Sequence, residues 1–272
     1  MTDLGGRTIV MSGGSRGIGL AIAVAAARAG ANVVLLAKTS EPHPNLPGTV
    51  HTAVSDIEAA GGRAVAVVGD VRNDADVERA ASTAAEHFGG IDIVLNNASA
   101  ISLDGTEALP MKRFDLMQQI NVRGTFALTK ACLPQLRQSS NGHILTLSPP
   151  LNLSPRWLGG HPAYTLAKYG MSLLTLGWAA EFADAGIAAN CLWPQTTIAT
   201  AAVVNLLGGA ELAARSRTPE IMADAAVAVL SRPAKELTGQ CLIDVDVLTE
   251  AGVTDLSGYG GGSDPQRDIF VD

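Results

Sequence analysis

Short, continuously apolar runs rich in valine, isoleucine and leucine alternate with longer alanine-rich segments along most of the chain. The runs fall at 8–11, 33–36, 64–68, 91–95 and 143–147, with fainter members at 187–192 and 240–243. Helical patterns lie between them near 17–29, 50–60, 74–88, 107–119, 122–138, 162–184 and 219–231. A strand without a polar face is buried on both sides, and strands joined by helices run parallel. The pattern predicts a single α/β domain over 1–250, with a doubly wound parallel sheet of about seven strands covered by helices on both faces. Two stretches break the rhythm, 39–48 with three prolines and 195–218, apolar but following no strand. Long connections in compact domains tend to be functional, so 195–218 is expected to form a substrate lid. The glycine-rich tail, 251–272, is expected to be irregular and to pack on or trail the same domain.

Composition narrows the function classes. Of 272 residues, 47% are hydrophobic and 17% charged, which excludes a disordered chain. The longest apolar stretch, Leu20 to Ala27, is far short of the about 20 residues that span a bilayer. The Met1-Thr2-Asp3 start lacks the basic region of a signal peptide, so a soluble, cytoplasmic protein is expected. Cys132, Cys191 and Cys241 form no CxxC pair and read as reduced core residues, with neither disulfide nor metal site expected. A net charge of -7 with no basic cluster argues against a nucleic-acid partner. The 43 alanines and 29 glycines permit close backbone approach between layers or toward a ligand.

Ser12-Gly13-Gly14-Ser15-Arg16-Gly17-Ile18-Gly19 follows the first run and leads straight into the first helical pattern. Glycines at a strand-to-helix turn let the backbone approach a pyrophosphate, whose charge the helix amides favour. The second run ends Ala37-Lys38-Thr39, without the carboxylate that receives a ribose 2′-hydroxyl. Lys38 and Arg16 are instead suited to a 2′-phosphate. NADP(H) is therefore expected ahead of NAD(H).

The three-residue spacing between Gly13 and Gly17 resembles that of the classical short-chain dehydrogenases/reductases, and from this point the chain resembles that family nearly end to end. The resemblance implies a Rossmann-type sheet, a cofactor contact set of Gly13, Ser15, Arg16, Gly17, Ile18 and Gly19, and an adenine-binding Asp70-Val71 after the third strand. Asn97-Ala98-Ser99 resembles the family's nicotinamide-side motif, with Ser99 in place of a glycine; Asn96 reads equally as a turn residue. Trp193-Pro194-Gln195-Thr196-Thr197-Ile198 resembles a further nicotinamide contact, through Pro194 and Ile198, with Gln195 replacing a glycine.

Tyr164 and Lys168 stand at i and i+4, which share one helix face. In that geometry an ammonium lowers the phenol pKa and makes the tyrosine a general acid or base. The resemblance adds a hydrogen bond from Lys168 to the nicotinamide ribose. It further implies that Asn121 supports a proton relay, with a helix cap as the plain alternative, and that Ser148 orients the substrate oxygen. Ser148 lies sixteen residues before Tyr164, which implies an inserted loop of about three residues. His161 reads as an ordinary loop histidine. Leu151, Leu153, Trp157 and Leu158 either line an apolar pocket, with 201–207 as its lid, or simply pack together. Met171, Leu174, Leu176 and Trp178 either meet a second subunit or fill the core, and a homodimer or homotetramer is implied by the resemblance.

The expected activity is hydride transfer between NADP(H) and a carbonyl or secondary alcohol, on an apolar, lipid-like small molecule. The rival expectation is an NADP(H)-binding sensor or scaffold with a pocket distorted by Pro149-Pro150 and Gln195.

Overall fold

The computed structural model describes residues 3–42, 47–201 and 203–272, together with all of their side chains except those of Leu206 and Leu207. The middle of the proline-rich 39–48 stretch and part of the expected 201–207 lid therefore lie outside the described residues. Strands β1 (Thr8–Ser12), β2 (Asn32–Ala37), β3 (Arg63–Val68), β4 (Ile93–Asn96), β5 (His143–Thr146), β6 (Ala188–Trp193) and β7 (Cys241–Ile243) form one sheet in the order β3-β2-β1-β4-β5-β6-β7. Every pairing between them is parallel.

Successive side chains on a strand point to opposite faces, and each face finds its own helices. Ile9 and Met11 of β1, Val33 and Leu35 of β2, and Ile93 and Leu95 of β4 join one core with α1 (Gly17–Arg28) and α9 (Glu220–Leu230). Val10, Val34, Leu36 and Val94 join the other, with α3 (Asp74–Phe88), α5 (Gly124–Leu136) and the inner face of α7 (Pro162–Glu181). Full burial of one such aliphatic side chain is worth roughly 1.5–3 kcal/mol, so the alternation fixes both layers. The alanine excess serves this packing: Ala23, Ala26 and Ala27 of α1 lie buried against Ala223, Ala225 and Ala226 of α9.

The chain leaves β1 toward β2 and β3, then returns to β4 on the opposite side of β1. That reversal opens a crevice beyond the carboxyl ends of β1 and β4, where ligands bind in open α/β sheets.

The remaining helices are α2 (Val50–Ala59), α4 (Met111–Met117), α6 (Pro155–Gly160), α8 (Gly209–Ala214) and α10 (Asp244–Glu250). Of these α6, α8 and α10 fall outside the expected helical stretches, being too short to show a period. The expected helices at 107–119 and 122–138 are one continuous run in which α4 and α5 are joined by a π-helical turn at Gln118–Arg123. Met171 and Trp178 of α7, for which a subunit contact and core packing are both open in the sequence, are buried within this chain.

The tail does not trail away. Thr197 N donates to Gln266 O (2.9 Å), Asp268 N to Gln195 O (3.0 Å) and Trp193 Nε1 to Ile269 O (3.0 Å). Asp272 then accepts from Asn152 Nδ2 (2.7 Å) and Trp157 Nε1 (3.1 Å). Residues 266–272 thus form a strap between the segment that follows β5 and the segment that follows β6. Among the described residues, no helix is long and apolar enough to cross a membrane.

Candidate active site

The glycine-rich turn sits in the crevice between β1 and β4. Gly13 adopts φ +76°, and a Cβ there would lie 2.9 Å from the Ala98 Cα, so the turn needs glycine on conformation and on space. Asn97 explains much of its shape. Its Nδ2 donates to the carbonyls of Ser12 (2.9 Å) and Gly13 (2.7 Å), while the amides of Asn97 and Ala98 donate to Ser12 Oγ at 3.3 and 3.1 Å. The Asn97 Nδ2 thus holds the loop in shape. Asn96 is wholly buried and donates to Thr129 and Thr146, a structural role.

The crevice fits a dinucleotide in several particulars. The N-terminus of α1 has no side-chain cap at Arg16 and no acidic residue in its first turn. Gly17 adopts φ +57°, and a Cβ added there would meet nothing nearer than Thr200 Cγ2 at 3.5 Å, so its surface is open toward the segment after β6. Ser15 is buried in the turn, and Ile18 and Ile198 pack into the core beside it, with Pro194 buried at the end of β6. Arg16 reaches across to donate to Gly48 O (2.8 Å), leaving its buried Nε without a partner. Lys38, exposed at the end of β2, acts electrostatically on Asp70. Asp70 is paired within its own loop. Both of its carboxylate oxygens accept from Arg72, at 2.9 and 2.6 Å, and this pairing holds its pKa below the usual range. Val71 packs against Gly124, where a Cβ would approach its Cγ1 to 2.9 Å.

Four expected catalytic residues converge at the carboxyl ends of β4, β5 and β6. Asn121 lies in the π turn, fully buried, its Oδ1 accepting from Ala100 N (2.8 Å) and its Nδ2 donating to Ala100 O (3.0 Å). This reciprocal pair fixes it to the segment after β4; it is not a helix cap. Ser148 follows β5 and is fully buried, and its hydroxyl has no oxygen or nitrogen partner among the described residues, only the weakly bonding Cys191 thiol beside it. Such an orphan costs roughly 1–3 kcal/mol, a cost that a ligand oxygen removes. The insertion after Ser148 folds back as α6, anchored where Tyr169 Oη donates to Asn152 O (2.5 Å) and Ser172 Oγ to Pro149 O (2.6 Å). Trp157 is buried there and Leu151 half-buried, whereas Leu153 and Leu158 are exposed.

Tyr164 and Lys168 both lie buried on the inner face of α7. Lys168 Nζ donates to Leu147 O (2.6 Å) and stands 4.9 Å from the centroid of the Trp193 ring. Burial pushes Lys168 down to about 7. Burial, with the Asp268 charge added, pushes the Tyr164 phenol up, and the group pulling it down is Ser99.

Two residues of the site belong to no motif of the sequence. Phe270, fully buried and at φ +71°, stacks on Tyr164 with centroids 6.3 Å apart and meets His161 edge-on at 5.5 Å. His161 donates or accepts at Thr165 Oγ1 (3.0 Å) and packs, a structural role. Asp268, in the strap, acts electrostatically on Lys168 and Tyr164, and burial pushes its carboxyl up to about 7. The available signal is the apolar triplet Ile269-Phe270-Val271 in an otherwise polar tail, since such a triplet seeks burial.

Comparison with known proteins agrees with this arrangement. The model of the short chain dehydrogenase family matches residues 7–207. Hydroxysteroid dehydrogenase-like protein 2 of Danio rerio is 53% identical over 99% of this chain, and that of Homo sapiens 49% identical over the same share. The chain spans only 65% and 64% of those relatives' lengths. A short chain dehydrogenase from Mycobacterium thermoresistibile superimposes with a TM-score of 0.94 at 56% identity, covering 99% of this chain and 96% of that one. A candidate dehydrogenase from Xanthomonas campestris gives 0.96 at 55%, covering 99% of each. More distant, L-sorbose reductase from Gluconobacter frateurii, complexed with NADPH and L-sorbose, gives 0.76 at 25% identity, covering 89% and 96%. With the family model matching most of the chain and solved dehydrogenases superimposing on nearly all of it, the chain belongs to the short-chain dehydrogenase/reductase family of nicotinamide-dependent oxidoreductases.

Proposed function

We propose that the protein is an NADP(H)-dependent oxidoreductase that interconverts a carbonyl and a secondary alcohol on an apolar, lipid-like substrate. The observation that carries the reading is the buried, unpartnered Ser148 hydroxyl in one enclosure with Tyr164 and Lys168. The nicotinamide supplies or accepts the hydride. Ser148 donates to the substrate oxygen, Tyr164 moves the proton at that oxygen, and Lys168 orients the ribose and stabilises the phenolate. Asn121 holds the segment after β4 in place through Ala100.

The NADP(H) preference rests on Lys38 and Arg16 at the end of β2 and the start of α1, where no carboxylate of β2 stands to receive a 2′-hydroxyl. Apolar substrate preference rests on the aromatic and aliphatic enclosure formed by Leu151, Trp157, Trp193 and Phe270. Exposed Phe126 on α5 with Leu166 and Leu173 on α7 supports a homodimer or homotetramer built through those helices. The free thiols of Cys132, Cys191 and Cys241 suit the reducing cytoplasm.

The test is NADPH oxidation across apolar aldehydes and ketones. Turnover that falls about 10²–10⁴-fold in Tyr164→Phe, with NADPH affinity retained, supports the enzyme. Tight NADPH binding without turnover of any of these carbonyls favours the sensor.

A further inference from the structure

The apolar triplet of the strap sets one phenyl ring among five other rings. The Phe270 centroid lies 5.1 Å from that of Tyr169, 5.5 Å from His161, 6.0 Å from Trp157, 6.1 Å from Trp193 and 6.3 Å from Tyr164. All five separations fall within the roughly 4.5–7 Å over which aromatic pairs attract. The walls of this box come from α6 (Trp157), from α7 and the residue before it (Tyr164, Tyr169, His161) and from the end of β6 (Trp193).

Two of those walls belong to the reactive centre. Tyr164 stacks on Phe270 with its plane tilted 26°, and Trp193 carries the Lys168 amine over its ring, 4.9 Å from the centroid. A ring seated in the box therefore stands beside the phenol and the lysine. With Phe270 in place, Tyr164, Lys168 and Ser148 are all buried. The segment that fills the box is strained and is tied at its two ends. Phe270 is the one non-glycine among the described residues with a positive φ, +71°, a left-handed conformation that a bulky side chain rarely adopts. On one side Asp268 N donates to Gln195 O and Trp193 Nε1 to Ile269 O. On the other, Asp272 clasps Asn152 and Trp157, and that clasp reaches the surface, where water replaces it at small cost.

We propose that the five-ring box is a substrate subsite, that its ligand is a flat, ring-bearing apolar carbonyl compound, and that Phe270 is the side chain this ligand displaces. The inference rests on the oxidoreductase reading and names the substrate class of that site. A flat ring regains against the same five walls the contacts that the departing phenyl gives up, and release of the strained backbone favours the exchange. The carbonyl of such a ligand stands beside Tyr164, and its oxygen is an acceptor for the unpartnered Ser148 hydroxyl. An unbranched aliphatic chain has no ring face to offer and regains less. Because the ligand binds the open form, the closed strap raises the apparent dissociation constant by the reciprocal of the open fraction.

Amide hydrogen exchange of the full chain with oxidised NADP and 2-acetylnaphthalene, a pair that does not turn over, tests the displacement. Tryptophan fluorescence reports occupancy, since two of the three tryptophans line the box. At saturation, exchange across 266–272 is expected to rise; a ligand bound beside a fixed strap leaves it unchanged or lowers it. Asp272→Ala releases the clasp without changing any wall of the box, and is expected to tighten 2-acetylnaphthalene binding about tenfold. Occupancy with unchanged or slower strap exchange would overturn the proposal. So would unchanged affinity in Asp272→Ala, an absence of binding to both parent and variant, or decan-2-one binding as tightly as the naphthyl ketone. Strap displacement as expected, but no oxidation of NADPH by parent or variant with the same ketone, would instead overturn the oxidoreductase reading and leave the ring subsite standing.

Discussion

Lys168 on α7 donates to the carbonyl oxygen of Leu147 at 2.6 Å, one residue before Ser148. This bond joins the helix that carries Tyr164 to the strand end that carries Ser148.

Replacing Lys168 by methionine separates stability from chemistry. A buried charge costs several kcal/mol to desolvate, and exchange for an apolar side chain of similar volume is often neutral or stabilising. Lys168→Met is expected to melt at or above the parent temperature and to lose at least about 10²-fold in kcat. Calorimetry beside NADPH oxidation measures both.

At the end of β2, Lys38→Asp supplies the carboxylate that a ribose 2′-hydroxyl requires and repels a 2′-phosphate. A charged hydrogen bond is worth about 1.5–3 kcal/mol, so the ratio of NADP(H) to NAD(H) affinities is expected to fall roughly 10- to 100-fold. Titration of both cofactors by fluorescence decides it; an unchanged ratio removes Lys38 from the 2′ position.

Gly19 faces the underside of the phosphate turn. An added Cβ would meet Asn97 Nδ2 at 2.5 Å and Gly13 O at 2.7 Å, the very pair that shapes the loop. Gly19→Ala is expected to cost about 1–3 kcal/mol and to weaken cofactor binding, because the clash breaks the Asn97 clamp. Denaturant unfolding with and without cofactor reads both effects.

Phe270 closes the aromatic cluster against Tyr164, His161, Tyr169, Trp157 and Trp193. Removing a fully buried phenyl ring costs about 3–5 kcal/mol where the site cannot collapse. Phe270→Ala is expected to destabilise by that order and to raise hydrogen exchange across 266–272. Equal exchange in parent and variant would show that the strap is held by its hydrogen bonds alone.

His143, buried at the start of β5 with Nε2 3.1 Å from Arg232 O, is pushed down to about 4 by burial. Between pH 4 and 6.5 the unfolded chain binds a proton that the folded chain refuses, so stability falls as pH falls through that window. The full effect approaches roughly 3 kcal/mol, and His143→Gln is expected to flatten the acid limb of the stability curve. Urea melts across the window test the sign as well as the size.

The local order of the chain determined the sheet, its parallel sense and the position of the phosphate turn. Continuous apolar runs have no polar face to expose, so 8–11 and 33–36 had to be interior strands, and a glycine-rich turn between strand and helix has few other uses. Tyr164 and Lys168 were legible as a pair because i and i+4 share a helix face. Asn97 was legible as important but not as a clamp, since its partners Ser12 and Gly13 lie about 85 residues away in sequence. Asp70 likewise gave no sign that Arg72 would occupy both its oxygens.

What only the tertiary structure decided is the ionic character of the site. The proton affinities of Tyr164 and Lys168 follow from how completely they are enclosed, and enclosure is a property of the packed chain. Asp268 and Phe270 arrive from a strap about 100 residues beyond α7's lysine, held by hydrogen bonds to the Gln195 carbonyl and from the Trp193 indole that have no periodic signature. Periodicity reports which face of an element is buried; it carries no information about which distant segment covers the site, because that choice is made by non-local hydrogen bonds and apolar contacts.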